Sequence, residues 1–260
     1  MNSSPKRILG TLLSIGGLST ACTGEDPLPT VDIDFQITLS DEMPTVARAA
    51  WTRQEKTSVE TWLEMGLDGD YSLTAPVEMG NTRDMEALLL GMKPNSDYSL
   101  RAAMLQEDGR IQYSSETTIE TGNLPSDIPS LEVTHHDSSL SDPGFILTST
   151  LMAPAALVIV DLDGDIVWWH QPEEDSIGRV QLSLDGEGVY YQRINVEGID
   201  RHRLYYISLD GTTRNVWDVP NGHHDFTQLP DGKIAVLAHD TRMEGGLEVT
   251  GDQIVELSPN

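Results

Sequence analysis

Imidazole, carboxylate and guanidinium groups are concentrated in one stretch of this sequence. His223, His224 and Asp225 are consecutive, and His239 and Arg242 follow after two short apolar runs. Imidazole and guanidinium groups together provide the hydrogen-bond donors that hold the oxygens of an anionic ligand. The five residues therefore predict a substrate-binding site for an oxyanion. A polar loop in which one histidine ring only hydrogen-bonds Asp225 is the alternative interpretation.

The elements that would carry these residues come from an internal repeat. Leu157–Gly164 aligns with Leu204–Gly211 at a spacing of 47 residues, and Val180–Gly186 aligns with Phe226–Gly232 at a spacing of 46. Each segment ends in Asp-Gly, and Asp-Gly between apolar runs predicts a β-hairpin whose two central residues both have positive φ. Two hairpins per repeat give four strands, which is the size of one β-propeller blade.

The blade geometry predicts that the candidate residues share one face. If Phe226–Leu229 is the innermost strand of a blade, His223 and His224 precede it on the face where propellers bind ligands. The strand Ile234–Ala238 then returns to that face and leads His239 and Arg242 into a long glycine-containing loop. The same face would receive further polar residues, namely Asp240 and, from the preceding repeat, Arg193, Asn195, Arg201, His202 and Arg203.

The last residues match the start of a third repeat. Ile254–Asn260 aligns with the segments that lead to Asp163 and Asp210, and Asn260 stands where those aspartates stand. The sequence therefore predicts two to three blades of an incomplete β-propeller over residues 144–260. Because a propeller ring takes about four to eight blades, we expect either a truncated chain or a partner chain that completes the ring.

The preceding region predicts a second all-β domain. Residues 31–122 alternate in the manner of short strands, and the stretch Leu90–Arg101, which contains Tyr98, resembles the tyrosine corner of a fibronectin type III sandwich. Trp51 fits the core tryptophan of an early strand, although any β-sandwich would place a tyrosine and a tryptophan this way. Residues 123–143 form a linker in which we interpret His135 and His136 as linker residues.

The N-terminus has the layout of a bacterial export signal. Lys6 and Arg7 precede an apolar stretch, which ends in Ser-Thr-Ala immediately before Cys22. The roughly 14 residues between Arg7 and Cys22 are fewer than the roughly 20 that span a membrane as a helix. We predict a signal peptide over residues 1–21 and a tether over 22–30 with Cys22 lipidated in the cell envelope. Cleavage without lipidation is the alternative.

The charge excludes several classes of partner. The chain has 42 acidic and 16 basic residues, a formal net charge of −26. This acidity disfavours binding to nucleic acid and to an anionic membrane surface, so the lipid is the expected membrane contact. We predict no metal and no cofactor. The series Asp161, Asp163 and Asp165 is explained by a hairpin turn rather than by calcium, and no histidine pair has the spacing of a zinc site.

A family resemblance sharpens the prediction. Gly222-His223-His224-Asp225-Phe226 followed by Leu229-Pro-Asp-Gly232 resembles the bacterial aryl-sulfate sulfotransferases, as does Gly144-Phe145-Ile-Leu leading to Val160-Asp161-Leu-Asp163-Gly164 and Trp168. The resemblance implies an exported protein with a β-sandwich and a six-bladed propeller. It also implies transfer of a sulfuryl group from a phenolic sulfate ester to a phenol through a histidine intermediate.

The resemblance implies roles for individual residues. His224 and His223 would bind the sulfuryl oxygens, and Asp225 would orient an imidazole. The nucleophilic histidine of the family is expected beyond the chain end, so no catalytic residue is named here, and nothing in the family pattern supports His239 as a substitute. A non-catalytic surface binding or adhesion lipoprotein is the alternative function.

Overall fold

The computed structural model describes residues 27–52, 58–79, 83–137, 139–140, 142–150, 154–172, 176–193 and 203–259. Within these ranges all regular secondary structure is β-strand, so the prediction of an all-β chain is confirmed. The strands are β1 (Gln36–Leu39), β2 (Ala47–Thr52), β3 (Ser58–Leu67), β4 (Asp70–Pro76), β5 (Glu78–Met79), β6 (Asp84–Leu89), β7 (Asp97–Gln106), β8 (Ile111–Tyr113), β9 (Thr117–Glu120), β10 (Ile146–Ser149), β11 (Leu157–Val160), β12 (Ile166–His170), β13 (Val180–Leu182), β14 (Gly188–Gln192), β15 (Arg203–Ser208), β16 (Arg214–Asp218), β17 (Gly222–Gln228), β18 (Ile234–Glu244) and β19 (Leu247–Leu257).

The first nine strands form two antiparallel sheets. One has the order β1-β2-β6-β5, and the other has the order β4-β3-β7-β8, with β9 also paired to β7. Alternate residues of β2, including Ala49 and Trp51, point inward and pack with Leu63, Met65 and Leu100 of the other sheet. Burial of these apolar side chains is the main stabilising contribution here.

The turn before β7 is fixed by a tyrosine. The backbone N–H of Lys93 donates a hydrogen bond of 2.9 Å to the hydroxyl of Tyr98, whose ring is buried in the core of this unit. This is the contact that defines a tyrosine corner. The turn also uses positive φ at Asn95, a residue type that tolerates the left-handed region.

The later strands form three antiparallel sheets, with the orders β10-β11-β12, β13-β14-β15-β16 and β17-β18-β19. Every hairpin predicted from Asp-Gly in the repeat is present, but the predicted turn conformation is wrong. Only the glycine has positive φ, as at Gly186 (77°) and Gly232 (86°). The N–H of Gly186 bonds the carbonyl of Ser183, so Leu184 and Asp185 form the centre of a type I turn and the glycine follows it.

The contacts divide the chain into two compact units. Among the described residues, one unit comprises 27–145 together with 160–168, and the other comprises 146–159 together with 169–259. The second unit has a core of Leu204, Val219, Phe226, Ile234 and Val236. No helix in the described part of the chain is long and apolar enough to cross a membrane. The predicted signal peptide, Cys22, Asn195, Arg201, His202 and Asn260 lie outside the described residues.

Candidate functional site

A bulge in β17 creates the local geometry of the candidate site. Gly222 pairs with Ala238, and the next paired residues are Phe226 and Val236, so three residues of β17 lie opposite the single residue Leu237. His224 within this bulge has φ of 57°, in the left-handed region. Adjacent side chains of a regular strand point to opposite faces, whereas a bulge redirects them. The irregular backbone therefore allows the two neighbouring histidine rings to meet.

The two rings are joined by a hydrogen bond. Nδ1 of His223 lies 2.8 Å from Nδ1 of His224, and the ring planes are nearly perpendicular, at 83°. One nitrogen must carry the proton and the other must accept it, so the tautomers of the two rings are coupled. Whatever binds Nε2 of His223 consequently decides whether Nε2 of His224 presents a proton or a lone pair outward.

His239 and Asp252 complete the cluster. Nε2 of His223 lies 3.1 Å from Oδ1 of Asp252, and Nδ1 of His239 lies 3.5 Å from the same oxygen. The rings of His223 and His239 are stacked, with centroids 3.8 Å apart and 18° between their planes. We call His223, His224, His239 and Asp252 the histidine cluster.

The histidine cluster lies at the protein surface, and His223 is its least exposed member. The side chain of His223 is 9% exposed, against 45% for His239 and 57% for Asp252. Burial and the neighbouring His239 lower the pKa of His223, while Asp252 opposes them. The ring of His223 is thus held as a neutral imidazole between its partners, which leaves it able to accept or donate a proton.

The other predicted site residues have different partners. Asp225 does not orient an imidazole as expected: its Oδ1 accepts the N–H of Phe226 at 2.8 Å and lies 3.2 Å from Arg179. His223 pairs with Asp252 instead, because the bulge turns the neighbouring carboxylate elsewhere. Arg203 pairs with Asp218 on the adjacent strand.

The predicted loop after Ala238 is a hairpin. β18 continues without interruption to Glu244, and Gly245 and Gly246, with φ of 59° and 86°, form the turn to β19. Arg242 is three residues from His239 along this strand, so it lies on the opposite face, and its Nε contacts Glu244 at 2.8 Å. The structure therefore brings His223, His224 and His239 together but not Asp225 or Arg242.

Asp252 is the residue that sequence reasoning missed, although a signal was present. Gly-Gly is one of the residue pairs typical of a two-residue hairpin turn. Pairing outward from Gly245 and Gly246 places His239 directly opposite Asp252, which is the observed register. Because the residues after Ala238 were interpreted as a loop from the sequence alone, that pairing was not predicted.

A separate group of three aspartates is already paired with a cation, the ammonium group of Lys93. Nζ of Lys93 lies 2.6 Å from Asp165, 2.9 Å from Asp163 and 3.2 Å from Asp161. Burial opposes the charge of Lys93, but hydrogen bonds to these carboxylates outweigh it and raise the pKa of the ammonium group. The side chain of Lys93 thus takes the place that a metal ion would need.

The part of the chain that contains the histidine cluster matches a known protein family. The model of the arylsulfotransferase (ASST) family matches residues 130–260, half of the chain, and the chain belongs to this family. The match confirms the resemblance noted around His223 and His224. No curated protein matches the chain.

Solved structures show only distant likeness. One is a structural genomics protein of unknown function from Bacteroides thetaiotaomicron VPI-5482, with 10% identity and a TM-score of 0.31 over 82% of this chain and 57% of that chain. Another is an auxiliary nutrient binding protein from the same organism, with 8% identity and a TM-score of 0.27 over 87% of this chain and 59% of that chain. This chain spans less than two thirds of the length of either.

Proposed function

We propose that this chain serves the transfer of a sulfuryl group from a phenolic sulfate ester to a phenol through a histidine intermediate. The observation that carries the proposal is the histidine cluster, which lies within the part of the chain that matches the arylsulfotransferase family. His224 is the exposed ring of the coupled pair, and we assign it to the sulfuryl oxygens. The nucleophile is not assigned to any residue of this chain.

The chemistry suits a sulfuryl group held by imidazoles. As the S–O bond of the ester breaks, negative charge grows on the phenolic oxygen that leaves, while the sulfuryl oxygens remain negatively charged. Positioned N–H groups stabilise negative charge on such oxygens. Because the chain as a whole is acidic, the N–H donors for an anionic ligand must come from a few residues close to one another. The ring of His223 donates its Nε2–H to Asp252 and accepts the Nδ1–H of His224, which fixes the ring of His224. In its imidazolium form, His224 then presents the N–H at Nε2 to a sulfuryl oxygen.

The test is turnover of a chromogenic phenyl sulfate with and without a phenol acceptor. We expect acceptor-dependent release of phenolate that His224→Asn abolishes, since asparagine tolerates the positive φ at this position and removes the imidazole. Arg242→Ala is the matched control and should retain turnover, because Arg242 lies on the other face of the hairpin. Release that survives His224→Asn would reject the assignment of His224 to the sulfuryl oxygens. No release from a folded sample of residues 1–260 would favour a binding function for these residues by themselves.

We also propose a setting for this activity. The two N-terminal sheets and the tyrosine corner support a fibronectin type III-like sandwich, and the antiparallel meander β13-β14-β15-β16 supports a propeller blade. The chain would be exported and held by lipid on Cys22 at the bacterial outer membrane or periplasmic face. The blades that close the ring would come from the rest of a longer chain or from a partner chain. Labelling with a radioactive fatty acid in cells, lost in Cys22→Ser, tests the anchor.

A further inference from the structure

We propose that His223, His239 and Asp252 form a binding site for a divalent metal ion of the zinc class. One ligand atom from each of these residues lies within 4.8 Å of the others. Tetrahedral Zn²⁺ with ligands at about 2.0–2.1 Å places its ligand atoms about 3.3 Å apart. The distances from Oδ1 of Asp252 to the two imidazoles, 3.1 and 3.5 Å, are those of two edges of such a tetrahedron.

The three ligands come from three neighbouring strands whose positions are fixed independently. His239 and Asp252 are directly opposite one another in the β18–β19 ladder, and the bulge in β17 turns His223 toward them. A site carried on strands is held more firmly than one on loops. The nitrogen lone pairs of an imidazole lie in the plane of its ring, so two parallel stacked rings do not both point at one ion. The rings of His223 and His239 must therefore tilt relative to one another when they bind the same ion. The exposed ring of His239 has room for that rotation.

The charges around the site favour a cation. Within the described part of the chain, no lysine or arginine forms an ion pair with Asp252, whereas Asp161, Asp163 and Asp165 are all paired with Lys93. The net charge of −26 raises the local concentration of cations at the surface. Two imidazoles and one carboxylate are ligands that zinc accepts in proteins, and three protein ligands leave a fourth position for water.

His224 supplies the outer contact that such a site needs. A histidine that binds a metal through one nitrogen commonly donates its other N–H to an acceptor, which fixes the ring. When Nε2 of His223 binds the ion, its Nδ1 carries the proton and donates to Nδ1 of His224 at 2.8 Å. Nε2 of His224 then carries a proton outward. This metal site does not depend on sulfuryl transfer, because its occupancy is measured without any sulfate ester.

The experiment is titration of the metal-free chain with Zn²⁺, followed by calorimetry, and with Co²⁺, followed by visible absorption. We expect one ion per chain and the intense visible bands of tetrahedral Co²⁺. His239→Ala and Asp252→Asn should each lower the affinity for Zn²⁺ by about 100-fold or more, because each removes one of three ligands. His224→Asn should lower it by about 10-fold through the outer contact.

The controls separate a built site from adventitious binding. His135→Ala removes a surface histidine far along the chain from the cluster and should leave the affinity unchanged. Because an ion that binds only the native chain raises the melting midpoint, the unaltered chain gives a second readout that needs no variant. Absence of tetrahedral Co²⁺ bands, or Zn²⁺ binding that survives either His239→Ala or Asp252→Asn, would overturn the three-ligand site.

Discussion

At the scale of single residues, the chemistry of this chain depends on the burial and the hydrogen-bond partners of each histidine ring. His223 is hydrogen-bonded to His224 and Asp252. By contrast, His170 on β12 is buried, and its Nε2 lies 3.4 Å from the hydroxyl of Tyr191. Burial, with a smaller contribution from Arg214, lowers the pKa of His170 from 6.5 to about 4. A neutral imidazole in this position must gain a proton when the chain unfolds in mild acid.

His170 predicts how stability depends on pH. The unfolded chain binds a proton at this residue below about pH 6.5 and the folded chain only below about pH 4, so stability is full above 6.5 and falls as the pH drops between these values. We expect a loss of about 1.4 kcal/mol between pH 7.5 and 5.5 from this residue. Urea unfolding at both pH values measures it, and His170→Gln should remove that part of the pH dependence. An equal loss in the variant would assign the effect to other groups.

At the scale of elements, the same dipeptide forms two different turns. Asp68 and Gly69 both have positive φ, as in a two-residue type I′ hairpin between β3 and β4. In the repeat, by contrast, only the glycine of Asp-Gly has positive φ. The carboxylate of Asp185 accepts the N–H of Glu187 and the hydroxyl of Ser183, which holds the longer turn together. Side-chain hydrogen bonds of this kind stabilise aspartate within turns.

Gly232 should be required for its backbone conformation alone. Its φ is 86°, and a Cβ at this position would meet no atom within 4 Å, so strain in Gly232→Ala comes only from the left-handed region. We expect a loss of about 1 kcal/mol in unfolding free energy. Gly251→Ala is the matched control, because that residue also faces open space but has no positive φ. Since both substitutions restrict the unfolded chain equally, equal stabilities of the two variants would contradict the prediction.

The sequence predicted elements better than it predicted contacts. Asp-Gly and alternating apolar residues located each hairpin of the repeat because turn preference and burial are local properties. The bulge that brings His223 and His224 together depends on the pairing of β17 with β18, which no local pattern specifies. Asp252 could have been predicted as the partner of His239 only from the strand register set by the turn at Gly245 and Gly246. Asp225, adjacent to both histidines in sequence, was a plausible partner that the backbone turned toward Arg179.

At the scale of the whole molecule, negative charge dominates. Against a net charge of −26, favourable contacts such as the three aspartates around Lys93 are local exceptions. Like charges also meet directly in the sheets, as where Asp97 pairs with Glu120 between β7 and β9. Self-repulsion of this size opposes the compact state, because unfolding moves the charges apart.

Salt should therefore stabilise the chain. Raising NaCl from about 0.01 M to about 0.15 M shortens the screening length from about 30 Å to about 8 Å, which reduces repulsion between distant carboxylates more than it weakens close pairs. We expect the melting midpoint to rise, by about 2–4 °C for each 1 kcal/mol gained.

A variant with reduced charge distinguishes screening of the whole molecule from other effects of salt. Replacing Glu107, Glu132 and Glu248 with lysine changes the formal charge by +6, from −26 to −20, at exposed positions. This variant should melt at a higher temperature in low salt and respond less to added NaCl. If its response equals that of the unaltered chain, the stabilisation by salt does not arise from net repulsion and must be assigned to local ion binding instead.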